Sequence, residues 1–127
     1  MKIEELCIGN TVLHNGVEHK VYGLYSAEPN KEERFNNKPL VDLFDGSGIC
    51  TALIDEIEGK MVTEEDLIRL GFVREETDEY LWENSLVYMV YEIRTNVLGM
   101  YGEWGKIVMY THTLENLVRI FRNLSSL

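Results

Sequence analysis

Two prolines, two cysteines and three histidines are all that this 127-residue chain holds of those residue types. Each scarcity excludes something. Cys7 and Cys50 form neither a Cys-x-x-Cys pair nor a Cys/His spacing suited to zinc, so no zinc ribbon and no disulfide framework is legible. The two are expected to be buried, reduced thiols, the common state of free cysteine. No apolar run approaches the about 20 residues that a membrane-spanning helix needs. Glu4 and Glu5 stand where a signal peptide requires its apolar stretch, which predicts a cytoplasmic protein. The chain also lacks a G-x-S-x-G elbow, a P-loop, a dinucleotide fingerprint, internal repeats and low-complexity tracts. Basic residues are few, 12 Lys and Arg against 22 Asp and Glu, for a net charge of −10. Residues 55–83 alone carry eleven acidic side chains against three basic ones. Such an acidic protein repels phosphate, so a sequence-independent grip on nucleic acid is not expected.

What is present is led by Met61 to Phe72, MVTEEDLIRLGF, a short helix with both ends specified. Thr63 is an N-cap whose hydroxyl can accept from the backbone N–H of Asp66. Glu64, Glu65 and Asp66 then lie at the positive end of the helix dipole. Val62 and Leu67 are spaced as a hydrophobic staple. Gly71 suits the left-handed position after the last turn, with Phe72 folding back on Leu67 in a Schellman stop.

Before this helix the chain reads as strands. Asn15-Gly16 predicts a type I′ hairpin turn, which sets His14 opposite Val17, Leu13 opposite Glu18 and Val12 opposite His19. Val12, His14, Val17 and His19 then share one face. Gly9-Asn10 permits a turn or bulge at the hairpin's start, and Gly23 a bend in its second strand. Residues 26–38 read as an exposed polar loop. Leu40–Phe44 and Ile49–Ile54 read as strands joined by a turn at 45–48. After the helix, strands are expected at 72–73, 80–82 and 86–93, the last apolar enough to have both faces covered. Residues 94–104 read as an aromatic-rich loop and 106–110 as a last strand. A C-terminal helix carries Leu114, Leu117, Val118, Phe121 and Leu124 in one stripe, with Thr111 or Thr113 as its N-cap. The fold class expected is α+β in a single domain, 1–127. A bent N-terminal antiparallel sheet or SH3-like small barrel over 1–57 precedes the short helix, further antiparallel strands and the amphipathic C-terminal helix.

Three landmarks, Leu6-x-Ile8-Gly9-Asn10-x-Val12, Thr63-Glu64-Glu65-x-Leu67-x-x-Leu70-Gly71-Phe72 and His112-x-Leu114-x-Asn116-Leu117, are spaced along most of the chain. Their pattern resembles that of a set of small proteins of unknown function from Bacteroides-type gut bacteria, their prophages and mobile elements. Met61, Val62, Thr113 and Glu115 depart from that pattern. The resemblance implies one globular domain, cytoplasmic or phage-encoded, and brings no activity with it.

Candidate chemistry is sparse. His14 and His19 share a hairpin face, but no third ligand has a recognisable spacing, so no metal and no cofactor is expected. Asp45-Gly46-Ser47-Gly48 reads as a turn rather than an aspartic-protease loop, and nothing local activates Cys50 for attack with His112 as base. His112 and Asn116, four apart at the start of the last helix, offer a polar contact to a partner or the satisfaction of nearby backbone. Trp82, Tyr101 and Trp104, from an aromatic group that also includes Tyr88 and Tyr91, are the best binding candidates. The expectation is a non-enzymatic interaction module whose partner is another protein. Its rivals are a small enzyme with a site assembled only in three dimensions and a nucleic-acid accessory protein.

Overall fold

The computed structural model describes residues 1–25, 38–100 and 109–125, together with the backbone of 103–105. It is α+β, with two five-stranded antiparallel sheets, a short helix and a C-terminal helix. The chain divides into two compact units at Lys60/Met61. Each has its own cluster of buried apolar side chains, where the chain length pointed to one core.

The first unit, 1–60, is a meander of β1 (Thr11–His14), β2 (Val17–Tyr25), β3 (Leu40–Phe44), β4 (Ile49–Leu53) and β5 (Ile57–Gly59). Its hairpin turns as the sequence requires: Asn15 and Gly16 have φ of 53° and 75°, and His14, Leu13 and Val12 face Val17, Glu18 and His19. At the start of β1, Gly9 takes φ 95° and donates to Val21 O at 2.7 Å, while Asn10 Oδ1 accepts from Cys7 N. The register slips between Val21 and Gly23, the bend that the glycine foreshadowed. The loop expected over 26–38 lies outside the described residues except for Lys38, whose ammonium pairs with Asp55 at 2.6 Å.

Strand order is β4-β3-β2-β1-β5, so consecutive strands β4 and β5 lie at opposite edges. In a flat sheet those edges would be about 19 Å apart, four spacings of about 4.8 Å. Only the 3-10 turn Ile54–Glu56 joins them, and four residue steps reach at most about 14 Å. The sheet must therefore curl, bringing its edges toward each other. Among the described residues β4 and β5 share no ladder, so this is the bent sheet rather than a closed barrel. Val12, Val21, Val41, Leu43 and Ala52 fill the concave face, each 2% exposed or less.

In the second unit, 61–127, α1 (Glu64–Arg69) precedes a meander of β6 (Val73–Glu76), β7 (Glu79–Glu83), β8 (Tyr88–Glu92), β9 (Val97–Met100) and β10 (Glu103–Gly105). The helix α2 (Thr111–Ser125) closes the chain. Both ends of α1 are as the sequence specifies. Thr63 Oγ1 accepts from Asp66 N at 3.3 Å and Asp66 Oδ2 accepts from Thr63 N at 3.0 Å. At the other end Gly71 has φ 98°, Phe72 N donates to Leu67 O at 2.9 Å, and Gly71 N to Ile68 O at 3.1 Å. Val62, Leu67 and Phe72 join Tyr80, Trp82, Met89, Tyr91, Leu98, Leu114 and Val118 in one core.

Three expectations fail here. Residues 94–104 are not one loop, because Val97–Met100 pairs with β8 and Glu103–Gly105 with β9. Gly99, read as a loop marker, is a strand residue opposite Val90. Strand β8 is not covered on both faces: Met89 and Tyr91 are buried, Val90 is half-buried and Tyr88 exposed. Neither Thr111 nor Thr113 caps α2, since the helix already begins at Thr111. The Thr111 hydroxyl instead donates to Met61 O at 3.3 Å and to Asp66 Oδ2 at 3.2 Å, tying the starts of the two helices together. Of the strand expected over 106–110, residues 106–108 lie outside the described residues, and Tyr110 makes an isolated bridge to Met61.

Candidate functional site

Of the residues singled out in the sequence as binding candidates, those whose side chains are described, Trp82, His112 and Asn116, are buried or half-buried. Trp82 is 5% exposed, a core residue on the helix-covered face of β7. His112 is 1% exposed, its ring stacked on Tyr110 at 5.9 Å and 8°. Both are drawn inward by the packing of α2, which leaves them little area to offer a partner. Asn116 is half-buried on α2, and the side chains of Tyr101 and Trp104 lie outside the described residues.

Residues that do converge are in the first unit. His14 and His19 lie edge to face, with ring centroids 5.6 Å apart and an interplanar angle of 80°. That arrangement follows from the hairpin register, which sets the two rings diagonally on one face of β1 and β2. Cys50, on β4, pairs with Leu43, which pairs with Val21 on β2. Side-chain alternation thus puts Cys50 on the same concave face as His19, and the curl of the sheet carries it across. One ring nitrogen from each histidine and the Cys50 sulfur all lie within 4.8 Å of one another. This is the third group that no sequence spacing supplies. Cys50 is exposed and Cys7 is partly so, which corrects the expectation of two buried thiols. An edge strand at the rim of a small core cannot bury every inward position.

Nearby groups set the electrostatics. Val17 O lies 2.8 Å from His19 Nδ1, and because a carbonyl only accepts, Nδ1 is the donor. His14 Nε2 is buried without a hydrogen bond and stands 3.7 Å from Glu56 Oε2. Asp45, in the β3–β4 turn, accepts from Ser47 N, Ser47 Oγ and Gly48 N. Those bonds, with a smaller contribution from His19, hold its carboxyl below the usual range. The turn reading of residues 45–48 therefore has its cause in Asp45.

A shallow, open depression of about 830 Å³ lies in the second unit, lined by Glu76, Glu79, Glu92, Arg94 and Val97 among others. Its central carboxylate is occupied: Glu92 accepts from the Thr95 hydroxyl and from the amides of Arg94 and Thr95. The Thr95 hydroxyl is the main cause holding the Glu92 carboxyl below its ordinary range. An ionised, saturated carboxylate is a turn anchor and a poor general acid.

On its outer face the first sheet carries a different feature. Phe44 and Ile49 face each other across β3 and β4, and Tyr25 stands further along the same face, all well exposed. Asp42 anchors the row, accepting from Tyr25 Oη at 2.8 Å and from Thr51 Oγ1 at 2.6 Å. Neither a protein-family model, a curated protein nor a solved structure matches this chain.

Proposed function

We propose that this protein is a non-enzymatic interaction module, cytoplasmic and carried by a phage or mobile element, whose partner is another protein. One observation carries the reading. Tyr25, Phe44 and Ile49 are 40–54% exposed and are held on paired strands, which fix their spacing. Large exposed aromatic and branched side chains on a rigid scaffold are the composition of interface centres. The phage association rests only on the landmark resemblance. No helix among the described residues is long and apolar enough to cross a membrane, which fits a cytoplasmic setting.

The test compares the wild-type chain with the double variant Phe44→Asp/Ile49→Asp as bait in the producing cell. Both positions are exposed, so circular dichroism should be unchanged. A specific protein retained by the wild type and lost by the variant is the expected result. Recovery of the same protein by both baits, or of none, would sink the reading.

A further inference from the structure

We propose that His14, His19 and Cys50 form a transition-metal site, with zinc(II) as the ion they suit. The proposal is independent of the outer-face interaction surface, since these three side chains line the concave face.

The donor set comes first. Two imidazoles and a thiol select late first-row metals and exclude magnesium and calcium, which take oxygen ligands. The separation comes second. A tetrahedral zinc with ordinary bond lengths holds N–N pairs at about 3.3 Å and N–S pairs at about 3.6 Å. The three donor atoms lie within 4.8 Å of one another, so closing on an ion requires at most about 1.5 Å of movement. Cys50 is exposed and free to supply that movement by rotating about χ1.

Third, the surroundings are those of a ligand shell. His19 donates Nδ1–H to Val17 O at 2.8 Å, the second-shell bond that fixes a metal-binding histidine's tautomer. His14 brings a ring nitrogen that is buried without a hydrogen bond, an arrangement costly to leave unsatisfied. The Glu56 carboxylate stands 3.7 Å from that nitrogen, outside the cluster of three donors, so the fourth position is one for water. The bland alternative is three polar side chains crowded at the rim of a small core. It leaves the buried His14 nitrogen without the partner that an ion would supply. Bound metal would tie β4 to β1 and β2 across the curled sheet, where the ladder leaves the edges open.

The test uses the full chain, reduced and stripped with a chelator, titrated with cobalt(II) and followed by absorbance. We expect one cobalt per chain, with tetrahedral d–d bands, a near-ultraviolet thiolate charge-transfer band, and displacement of both by zinc. Cys50→Ser, at an exposed position, should lose the charge-transfer band and bind about tenfold more weakly or worse. Cys7→Ser should keep both properties. No binding at equimolar cobalt, a Cys50→Ser spectrum like that of the wild type, or loss of the band in Cys7→Ser would each overturn the site.

Discussion

Tyr91 buries its whole side chain in the second core, and its hydroxyl is buried without a hydrogen-bond partner. A polar group taken from water without compensation opposes folding. Tyr91→Phe should therefore stabilise the protein by about 1 kcal/mol, read as a rise in denaturant midpoint at unchanged m-value. Burial, and secondarily the Asp66 charge, raises the Tyr91 pKa above that of a free tyrosine. The native state thus holds this proton at a pH where the unfolded chain releases it, so stability falls as pH rises through the ordinary tyrosine range of about 10. In Tyr91→Phe that alkaline slope should be shallower; an identical slope would show that Tyr91 is not the group responsible. Asn84 is the opposite case, a polar residue fully used. Its Oδ1 accepts from Leu86 N and Val87 N at 2.8 Å, and its Nδ2 donates to Phe121 O at 3.0 Å. Asn84→Ala should cost about 1–3 kcal/mol by leaving those groups unpaired. Asn84→Asp keeps the turn but sets a carboxylate against the C-terminal half of α2, so it too should be less stable than wild type.

At the scale of the element, α1 is where sequence and structure agree most closely, and its prediction is an ordering. Leu67→Ala should cost most, roughly 2–5 kcal/mol, because Leu67 is fully buried and serves both staple and stop. Gly71→Val comes next. Its backbone has φ 98°, and a Cβ there would come within 3.0 Å of Arg122 Nη2 and 3.4 Å of Trp82 Nε1. Thr63→Ala should be mildest, at ~1 kcal/mol for the lost cap. A denaturant midpoint for Thr63→Ala below that of Leu67→Ala would show that α1 is held by its caps rather than by the core. The helix was legible because every signal is local: cap, staple and stop all lie within Val62–Phe72. The hairpin was legible for the same reason, its register dictated by Asn15-Gly16. Strand β9 was not, because Gly99 and the loop-like composition around it outweighed a pairing with β8 that only the sheet reveals. Asp66 shows the same limit at one residue. Its sequence position marks a dipole-facing acid, while its hydrogen bond from Thr111, 45 residues away, needs the tertiary fold. The His14–His19–Cys50 convergence lies between the two. The histidine pair follows from a two-residue turn, and the cysteine follows only once the strand order forces the sheet to curl.

The whole molecule carries −10, with most of it in residues 55–83, and this bears on whether its exposed aromatics could serve a nucleic acid. Tyr22, Tyr25 and Phe44 are exposed on β2 and β3 of a curled sheet, the kind of platform on which single-stranded bases stack. Stacking contributes roughly 1–3 kcal/mol per base, but a strand also needs a basic groove to hold its phosphates. Here the charge has the wrong sign. Asp42 stands inside the aromatic row, bonded to Tyr25 and Thr51, and Lys20 on the same face donates to the Thr11 hydroxyl. A phosphate track along β2–β4 would pass an anion with no excess of cations to offset it, and the net charge repels the strand at longer range. Fluorescence anisotropy with labelled oligothymidine and with a duplex of the same length should show no complex at physiological salt. Binding in the low micromolar range that weakens as salt is raised and disappears in Phe44→Ala would contradict this. It would also move the outer face from protein recognition to nucleic-acid recognition.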